Sequence, residues 1–131
     1  MEWLVNVHSV WRWVVLLLAL GAIVLALLSA YGGRPWDSLS DRLSLFFTIS
    51  MDIQLLIGAA VWVTESRWTG DVVLAWIHPL AMIVAVALAH IGRSRSDRAS
   101  GDANKGRQAA LFFIVSLLVV LIAIPLGSWP I

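Results

Sequence analysis

The residues most able to do chemistry in this chain are three histidines that lie in otherwise apolar stretches. His8 stands in NVHSVWRW near the amino terminus, and His78 and His90 stand in HPLAMIVAVALAHIGRSR. A strongly polar side chain within a membrane span is costly and usually marks a functional site. The first question that the sequence raises is therefore what these imidazoles hold.

His8 and His78 are the candidates for ligands of one shared metal centre. They lie in the first and third of four apolar runs, which we expect to cross the membrane in the same direction, so the two imidazoles have similar depth. Neutral imidazoles on facing helices can ligate a b-type haem from both sides. Arg12, one turn deeper on the face of His8, would then pair with a haem propionate. The alternative is that each histidine only hydrogen-bonds a neighbouring helix.

His90 has a different depth and lies on a different helix face from His78. The twelve residues from His78 to His90 correspond to about 18 Å along a helix and about 120° of rotation around it. Asp52 has a similar depth in the second run, and a carboxylate there needs a partner. We expect Asp52 and His90 to form either a proton relay to a quinone or a purely structural pair. Gln54 is grouped with this relay, although it points away from Asp52 toward another helix or a second subunit.

Other kinds of chemistry find little support. Met82 follows His78 by one turn and could complete a copper site, but methionine is an ordinary packing residue in apolar helices. The absence of cysteine excludes disulfides, thiolate metal sites, iron–sulfur clusters and thioether-attached haem. Phosphate-binding, dinucleotide-binding and common hydrolase motifs are missing from the sequence. An electron-transfer component is thus favoured over a stand-alone enzyme.

Four apolar runs must position these side chains. The chain has 131 residues, of which 60% are hydrophobic and 13% charged, a composition typical of a membrane protein with a single domain, residues 1–131. A helix across the bilayer needs about 20 residues. The predicted spans are Leu4–Ala30, Leu43–Thr64, Val72–Gly92 and Ala109–Gly127. The expected fold class is all-α, a transmembrane four-helix bundle with up-down-up-down order.

The predicted connections are short. YGGRPWDSLSDR joins the first two helices, and Ser38 or Ser40 is expected to cap the second one. ESRWTGD predicts a tight turn, whereas GRSRSDRASGDANKGR (residues 92–107) predicts a polar, flexible loop. Pro125 and Pro130 are expected to close the last helix.

The distribution of positive charge predicts the orientation. Seven basic residues fall in the first and third loops: Arg34, Arg42, Arg93, Arg95, Arg98, Lys105 and Arg107. The opposite side has Arg67, with Arg12 inside the first helix. The positive-inside rule therefore puts both loops in the cytoplasm of a bacterial inner membrane and both termini on the outer, periplasmic side. Most tryptophans fall toward that outer side, where they would form an interfacial belt, and Trp11 and Trp13 could also wall a planar prosthetic group.

Several motifs resemble those of a family of small bacterial four-helix membrane proteins, which are labelled cytochrome-b-like or uncharacterised. HSVWRW, DIQLLIG, HPLAMIVAVALAHIGRSR and IPLGSWP carry this resemblance over nearly the whole chain. The resemblance implies seven residues as the ones of interest: His8, Arg12, Asp52, Gln54, His78, His90 and Arg93. It implies no ligand for them.

The sequence thus leads to two functional hypotheses. The first is a b-type cytochrome in electron transfer, with haem b near the outer side and quinone chemistry toward the cytoplasm. The second is a non-catalytic, cofactor-poor accessory subunit of a respiratory or photosynthetic complex, whose polar residues form structural networks. In a variant of this hypothesis, the histidines ligate a chlorophyll-type pigment or the subunit contacts a quinone. Both hypotheses imply the lipid bilayer and either other membrane subunits or a homodimer as partners. A net charge of +1 gives no indication of a nucleic-acid partner.

Overall fold

The computed structural model describes residues 2–125, and this part of the chain forms four long helices and no strand. The long helices are α1 (Glu2–Tyr31), α2 (Ser38–Thr64), α3 (His78–Arg98) and α4 (Asp102–Ala123). A 3₁₀ turn at Arg67–Thr69 and a π-helical turn at Val73–Ile77 connect α2 to α3. The π turn continues directly into α3. Each of the four helices is long and apolar enough to cross a membrane, the third as Val73–Arg98. The chain is therefore a multi-pass membrane protein in contact with lipid.

The helices pack through small side chains. α1 contacts α2 and α4, and α3 contacts the same two helices. Buried alanines of α1, α3 and α4 make up much of the core, around one aromatic pair, Phe47 and Phe113, whose ring centroids are 5.0 Å apart. Small residues let helix backbones approach closely in a membrane, where packing rather than the hydrophobic effect holds helices together. At Gly106, an added Cβ would lie 2.5 Å from the carbonyl oxygen of Ala26, so α1 and α4 meet there at backbone distance.

Polar contacts fix the register of neighbouring helices. The indole nitrogen of Trp11 donates to the carbonyl oxygen of Ser50 at 2.9 Å, which joins the first part of α1 to the middle of α2. The Ser116 hydroxyl donates to the carbonyl oxygen of Ala85 at 2.7 Å inside the α3–α4 contact. Both bonds satisfy a polar group inside the bundle, where no water replaces it.

The prediction of a flexible loop at 92–107 is wrong. α3 continues to Arg98 and α4 begins at Asp102, so only residues 99–101 are non-helical between them. The Ser96 hydroxyl donates to the carbonyl oxygen of Lys105 at 3.1 Å, and the Lys105 ammonium donates to the carbonyl oxygens of Ser96 and Asp97. These bonds across the hairpin stabilise helical turns whose polar composition alone predicts a loop. The predicted third and fourth spans are therefore too short at this side.

The cap of α2 also differs from the prediction, because Asp37 and not Ser38 or Ser40 supplies it. The Asp37 carboxylate accepts from the backbone N–H of Ser40 at 3.0 Å and from the Ser40 hydroxyl at 3.1 Å. The Ser40 backbone N–H holds the pKa of Asp37 below its usual value, and the Ser40 hydroxyl and Arg34 act in the same direction. α2 consequently begins at Ser38, five residues before the predicted span.

The last helix ends at Ala123, two residues before Pro125, as the proline predicts. The predicted span end at Gly127 and the predicted role of Pro130 lie outside the described residues.

Candidate functional site

A cavity of about 440 Å³ lies among the helices at the end of the bundle where α1 begins and α4 ends. Its walls are largely apolar and come from all four long helices. The strongly polar side chains that line it are His8, Arg12, Gln54, Arg67 and His78. No aspartate or glutamate is among the described residues that line it. The cavity is thus an apolar chamber with positive charge and two imidazoles.

The structure brings His8 and His78 together inside this cavity. Their ring centroids are 6.4 Å apart and their planes are nearly perpendicular, at 85°. α1 and α3 carry them from opposite sides, since each of these helices packs mainly against α2 and α4 rather than against the other. The matched depth that the sequence predicts for the two residues therefore brings their rings close together, with the ring planes nearly perpendicular. Ligation of a metal by the pair stays a prediction.

A π-helical turn sets the position of His78. Pro79 has no N–H and cannot bond to the carbonyl of Ala75, four residues earlier, and its ring would clash with that carbonyl in a regular helix. The backbone instead widens into the π turn, in which the N–H of His78 bonds to the carbonyl oxygen of Val73. The freed carbonyl oxygen of Ala75 accepts from the indole N–H of Trp62 at 2.7 Å. Such local π turns occur often at functional sites.

The His78 ring has a defined tautomer. Its Nδ1 lies 3.1 Å from the carbonyl oxygen of Ala123 at the end of α4. A carbonyl oxygen only accepts, so Nδ1 carries the proton and Nε2 keeps its lone pair. A hydrogen bond from one ring nitrogen to a carbonyl is the usual outer-shell support of a metal-ligating histidine.

The His8 ring is supported by α2. The Gln54 amide donates to the His8 carbonyl oxygen at 2.8 Å. Of the two predicted neighbours of Gln54, another helix or a second subunit, the structure thus shows another helix, α1. Gly58 leaves room for the imidazole, because an added Cβ there would lie 3.2 Å from His8 Cε1. His8 Nδ1 and Gln54 Oε1 are both buried, and neither has a hydrogen-bond partner among the described residues. Buried polar atoms without a protein partner beside a cavity are usually satisfied by water, an ion or a ligand.

Three residues of the cavity were missed in the sequence. Arg67, on the 3₁₀ turn, adds a second guanidinium beside that of Arg12. Trp62 and Trp76 line the cavity, with ring centroids 5.6 Å apart. One signal for Arg67 was present in the sequence, because it is the single basic residue in the predicted outer connection and departs from the charge bias.

Trp62 and Trp76 line the cavity, whereas Trp11 and Trp13, which the sequence suggested as walls of a prosthetic group, do not. Trp11 is held by its bond to Ser50 on α2 and is absent from the cavity lining, as is Trp13. Sequence depth alone could not separate these residues from Trp62 and Trp76, because Trp76 lies on the π turn and Trp62 bonds to the carbonyl oxygen of Ala75 on that turn.

Asp52 and His90 form the expected pair, with His90 Nε2 and Asp52 Oδ1 2.7 Å apart. The pair lies outside the cavity, on the α2–α3 surface, and both side chains are about half exposed. Gln54 contacts α1 and does not join them, so its grouping with this pair is incorrect. Arg93, the seventh residue of interest, donates to the carbonyl oxygen of Asp41 at 3.0 Å.

A copper site at His78 and Met82 gains no further ligand. Both residues line the cavity, but the described part of the chain has no group of three or more His, Cys, Asp or Glu side chains that could hold a metal ion. His8 and His78 are thus the imidazoles that line the cavity in the described part of the chain.

Comparisons with protein-family models, with curated proteins and with solved structures find no match to this chain.

Proposed function

We propose that the protein is a small b-type cytochrome that transfers electrons in a bacterial inner membrane. The observation that carries the proposal is the facing pair of His8 and His78, 6.4 Å apart, in an apolar cavity. A metal between two imidazoles needs about 2 Å for each bond and about 1 Å from each nitrogen to its ring centroid, which places the centroids roughly 6 Å apart. The observed centroid separation of 6.4 Å is close to this value, which supports one shared metal ion.

The charge of the cavity supports haem over a bare metal ion. Haem is a planar apolar group with two anionic propionates, and the lining combines apolar walls with the guanidinium groups of Arg12 and Arg67. Without an acidic side chain in the described lining, an anionic ligand is favoured and a hydrated cation is not. The donor set, two neutral imidazoles and no thiolate, suits low-spin b-type ligation.

Each residue of the site then has a part in this function. His8 and His78 would ligate the haem iron, and the carbonyl of Ala123 fixes the orientation of the His78 ring. Arg12 and Arg67 would neutralise the propionates, and the apolar walls would exclude water. The bound haem supplies reversible one-electron transfer through its iron.

We further propose that the helices form an up-down-up-down bundle with both termini on the outer side. The excess of Lys and Arg at the end of the bundle where α1 and α3 end and α2 and α4 begin supports this orientation. The cavity then lies toward the periplasm. A single haem there is too far from the cytoplasmic surface to cross the bilayer alone, so the proposal includes a partner subunit or a second copy of the chain.

The test is a reduced-minus-oxidised absorption spectrum of the protein purified in mild detergent from cells with ample haem, together with extraction of the haem. We expect sharp reduced α and Soret bands at about one haem per chain. A spectrum without haem bands would overturn the proposal and favour the accessory subunit, with its histidines as hydrogen-bonding residues.

Variants then locate the ligands. His8→Ala and His78→Ala should each abolish stable haem binding, because a single imidazole cannot hold both axial positions. His90→Ala is the matched control, since this histidine lies outside the cavity, and it should keep the haem content of the unmodified protein. Full haem content in the first two variants would contradict the assignment even if the spectrum shows a cytochrome.

A further inference from the structure

We propose that the His90–Asp52 pair is a docking and proton-accepting site for a hydroquinone dissolved in the bilayer. The inference rests on the proposed function for its electron acceptor. It assigns a substrate class to a second site, separate from the cavity.

The first argument is the exposure of the pair. The side chains of His90 and Asp52 are 51% and 42% exposed on the outside of the bundle, within helices that cross the membrane. Asp52 lies nine residues beyond Leu43, where the apolar run of α2 begins, and His90 lies three residues, about one turn, before Arg93. The pair is thus inside the apolar part of both helices, near their polar end. Polar groups in an apolar span normally face the bundle interior or a cavity, because exposure to lipid is costly. A pair left open toward lipid is therefore suited to a polar ligand that arrives through the lipid.

The second argument is the chemistry of the pair. His90 Nε2 and Asp52 Oδ1 are joined at 2.7 Å, and neither side chain has a second hydrogen-bond partner among the described residues. The remaining imidazole nitrogen and carboxylate oxygen can each bind a phenolic hydroxyl. A hydroquinone is an apolar ring with two such hydroxyls, and its isoprenoid tail keeps it in the hydrocarbon region.

The third argument is a polar path away from the pair. A groove of about 310 Å³ runs along α3 beside His90 and is lined by Arg93, Ser94, Asp97 and Arg98. Arg93 also reaches Asp41 on α2, with Nη2 3.5 Å from Oδ1. These charged groups share the groove with His90 or, like Asp41, contact Arg93, and they lie toward the polar end of the α3–α4 hairpin. A proton released at the pair can leave along them.

The fourth argument is the closeness of the cavity. Met51, the residue before Asp52, lines the cavity, and so does Val86, one turn before His90. The pair thus lies within about one helical turn of residues that line the cavity. An electron and a proton that leave one hydroquinone would therefore take different directions.

The reaction balances with groups already named. Oxidation of one hydroquinone to a quinone breaks two O–H bonds and releases two protons and two electrons. The protons pass one at a time to the His90–Asp52 pair and on to the groove. A haem held by His8 and His78 would take up the two electrons singly, each passed on to a one-electron redox protein before the next arrives.

The binding test uses a photoreactive azido-benzoquinone with a short alkyl tail, applied to the full chain in lipid nanodiscs. Labelled peptides are identified by mass spectrometry in the unmodified protein and in Asp52→Asn and His90→Gln. We expect labelling of α3 near His90, and about a tenfold decrease in both variants. Ile91→Ala is the matched control, because Ile91 is exposed beside the pair and has no polar group. Labelling that is equal in all four proteins would overturn the inference, and this readout does not need haem.

The kinetic test follows reduction of the haem by decyl-benzohydroquinone in stopped flow. Asp52→Asn and His90→Gln should slow reduction about tenfold, while dithionite reduces all proteins alike. Unchanged rates in the variants would overturn the inference and leave the cytochrome intact, whereas failure of dithionite to give haem bands concerns the proposed function.

Cross-linking in the nanodiscs tests whether a second copy of the chain, instead of a hydroquinone, covers the His90–Asp52 pair. If the unmodified protein is a dimer and both variants are monomers, the pair is an interface between copies and the hydroquinone site is overturned. An oligomeric state that is the same in all proteins supports the proposal.

Discussion

At the scale of single residues, the two cavity histidines depend on neighbours that are themselves unreactive. A carbonyl at the end of α4 orients His78, whereas the absence of a side chain at Gly58 makes room for His8. These supports come from other helices and are invisible in the local sequence. Replacement of the support, with the histidine kept, is therefore the sharpest test of the geometry.

Gly58→Ala should lower the haem content and the affinity for haem, because the new Cβ would lie 3.2 Å from His8 Cε1 and the ring must shift by a few tenths of an ångström. Gly21→Ala is a matched control, since its Cβ would meet Leu43 at an ordinary 3.5 Å. Both changes favour the helix by about 1 kcal/mol, so helix propensity cancels in the comparison. Haem titration of the two purified variants measures the difference, and equal affinities would argue against an axial role for His8.

At the scale of elements, two local features shape the helices: a π turn just before α3 and a side-chain cap at the start of α2. The π turn before His78 follows from Pro79, and the start of α2 follows from Asp37. Each feature depends on a few hydrogen bonds, so each can be removed without a large change in the apolar faces.

Pro79→Ala should restore an N–H that can bond to the Ala75 carbonyl in competition with Trp62. The π turn then shortens to a regular helix, the His78 ring rotates, and haem content falls. Absorption spectra together with tryptophan fluorescence measure both effects. Pro35→Ala serves as the control, because Pro35 contributes its carbonyl oxygen to Ser29 and Arg34 and alanine keeps that group. A Pro79→Ala protein with full haem and unchanged fluorescence would show that the π turn has another cause.

Asp37→Asn should lower the thermal midpoint of unfolding at pH 7 and have a smaller effect in acid. The pKa of Asp37 is held below its usual value in the folded state, so the carboxylate stabilises the folded protein above the unfolded pKa. This contribution is lost as pH falls through the folded pKa, below about 3.8. Thermal unfolding of both proteins between pH 7 and pH 3 measures the difference. Asn can also cap a helix, so the comparison isolates the charge, and a difference that grows in acid would be contrary to the expected sign.

At the scale of the whole molecule, charge and tryptophan placement orient the protein, while helix packing creates the cavity at one end. The two features are connected, because the orientation decides which side of the membrane can exchange electrons with the haem. The outward cavity and the inward polar groove of the proposal both depend on this orientation.

Single cysteines test the orientation directly, since the chain has no cysteine of its own. We expect Thr69→Cys, in the turn after α2, to react with a membrane-impermeant maleimide added to spheroplasts. Ser100→Cys, between α3 and α4, should react only after the membrane is opened. The opposite pattern would reverse the assignment of sides and place the cavity toward the cytoplasm.

The sequence by itself determined the helical membrane class, the approximate spans and the residues of interest. Apolar run length and isolated polar residues encode these properties locally, and the depth argument alone predicted the meeting of Asp52 with His90. Only the tertiary structure decided how far the polar ends remain helical, which tryptophans reach the cavity and that Arg67 joins it. The physical reason is that bonds between helices set these features. Examples are the hydrogen bond of Lys105 to Ser96, the indole bond of Trp62 to Ala75 and the close contact of Gly106 with Ala26. Each joins residues on different elements, which a hydrophobic periodicity along one segment cannot predict.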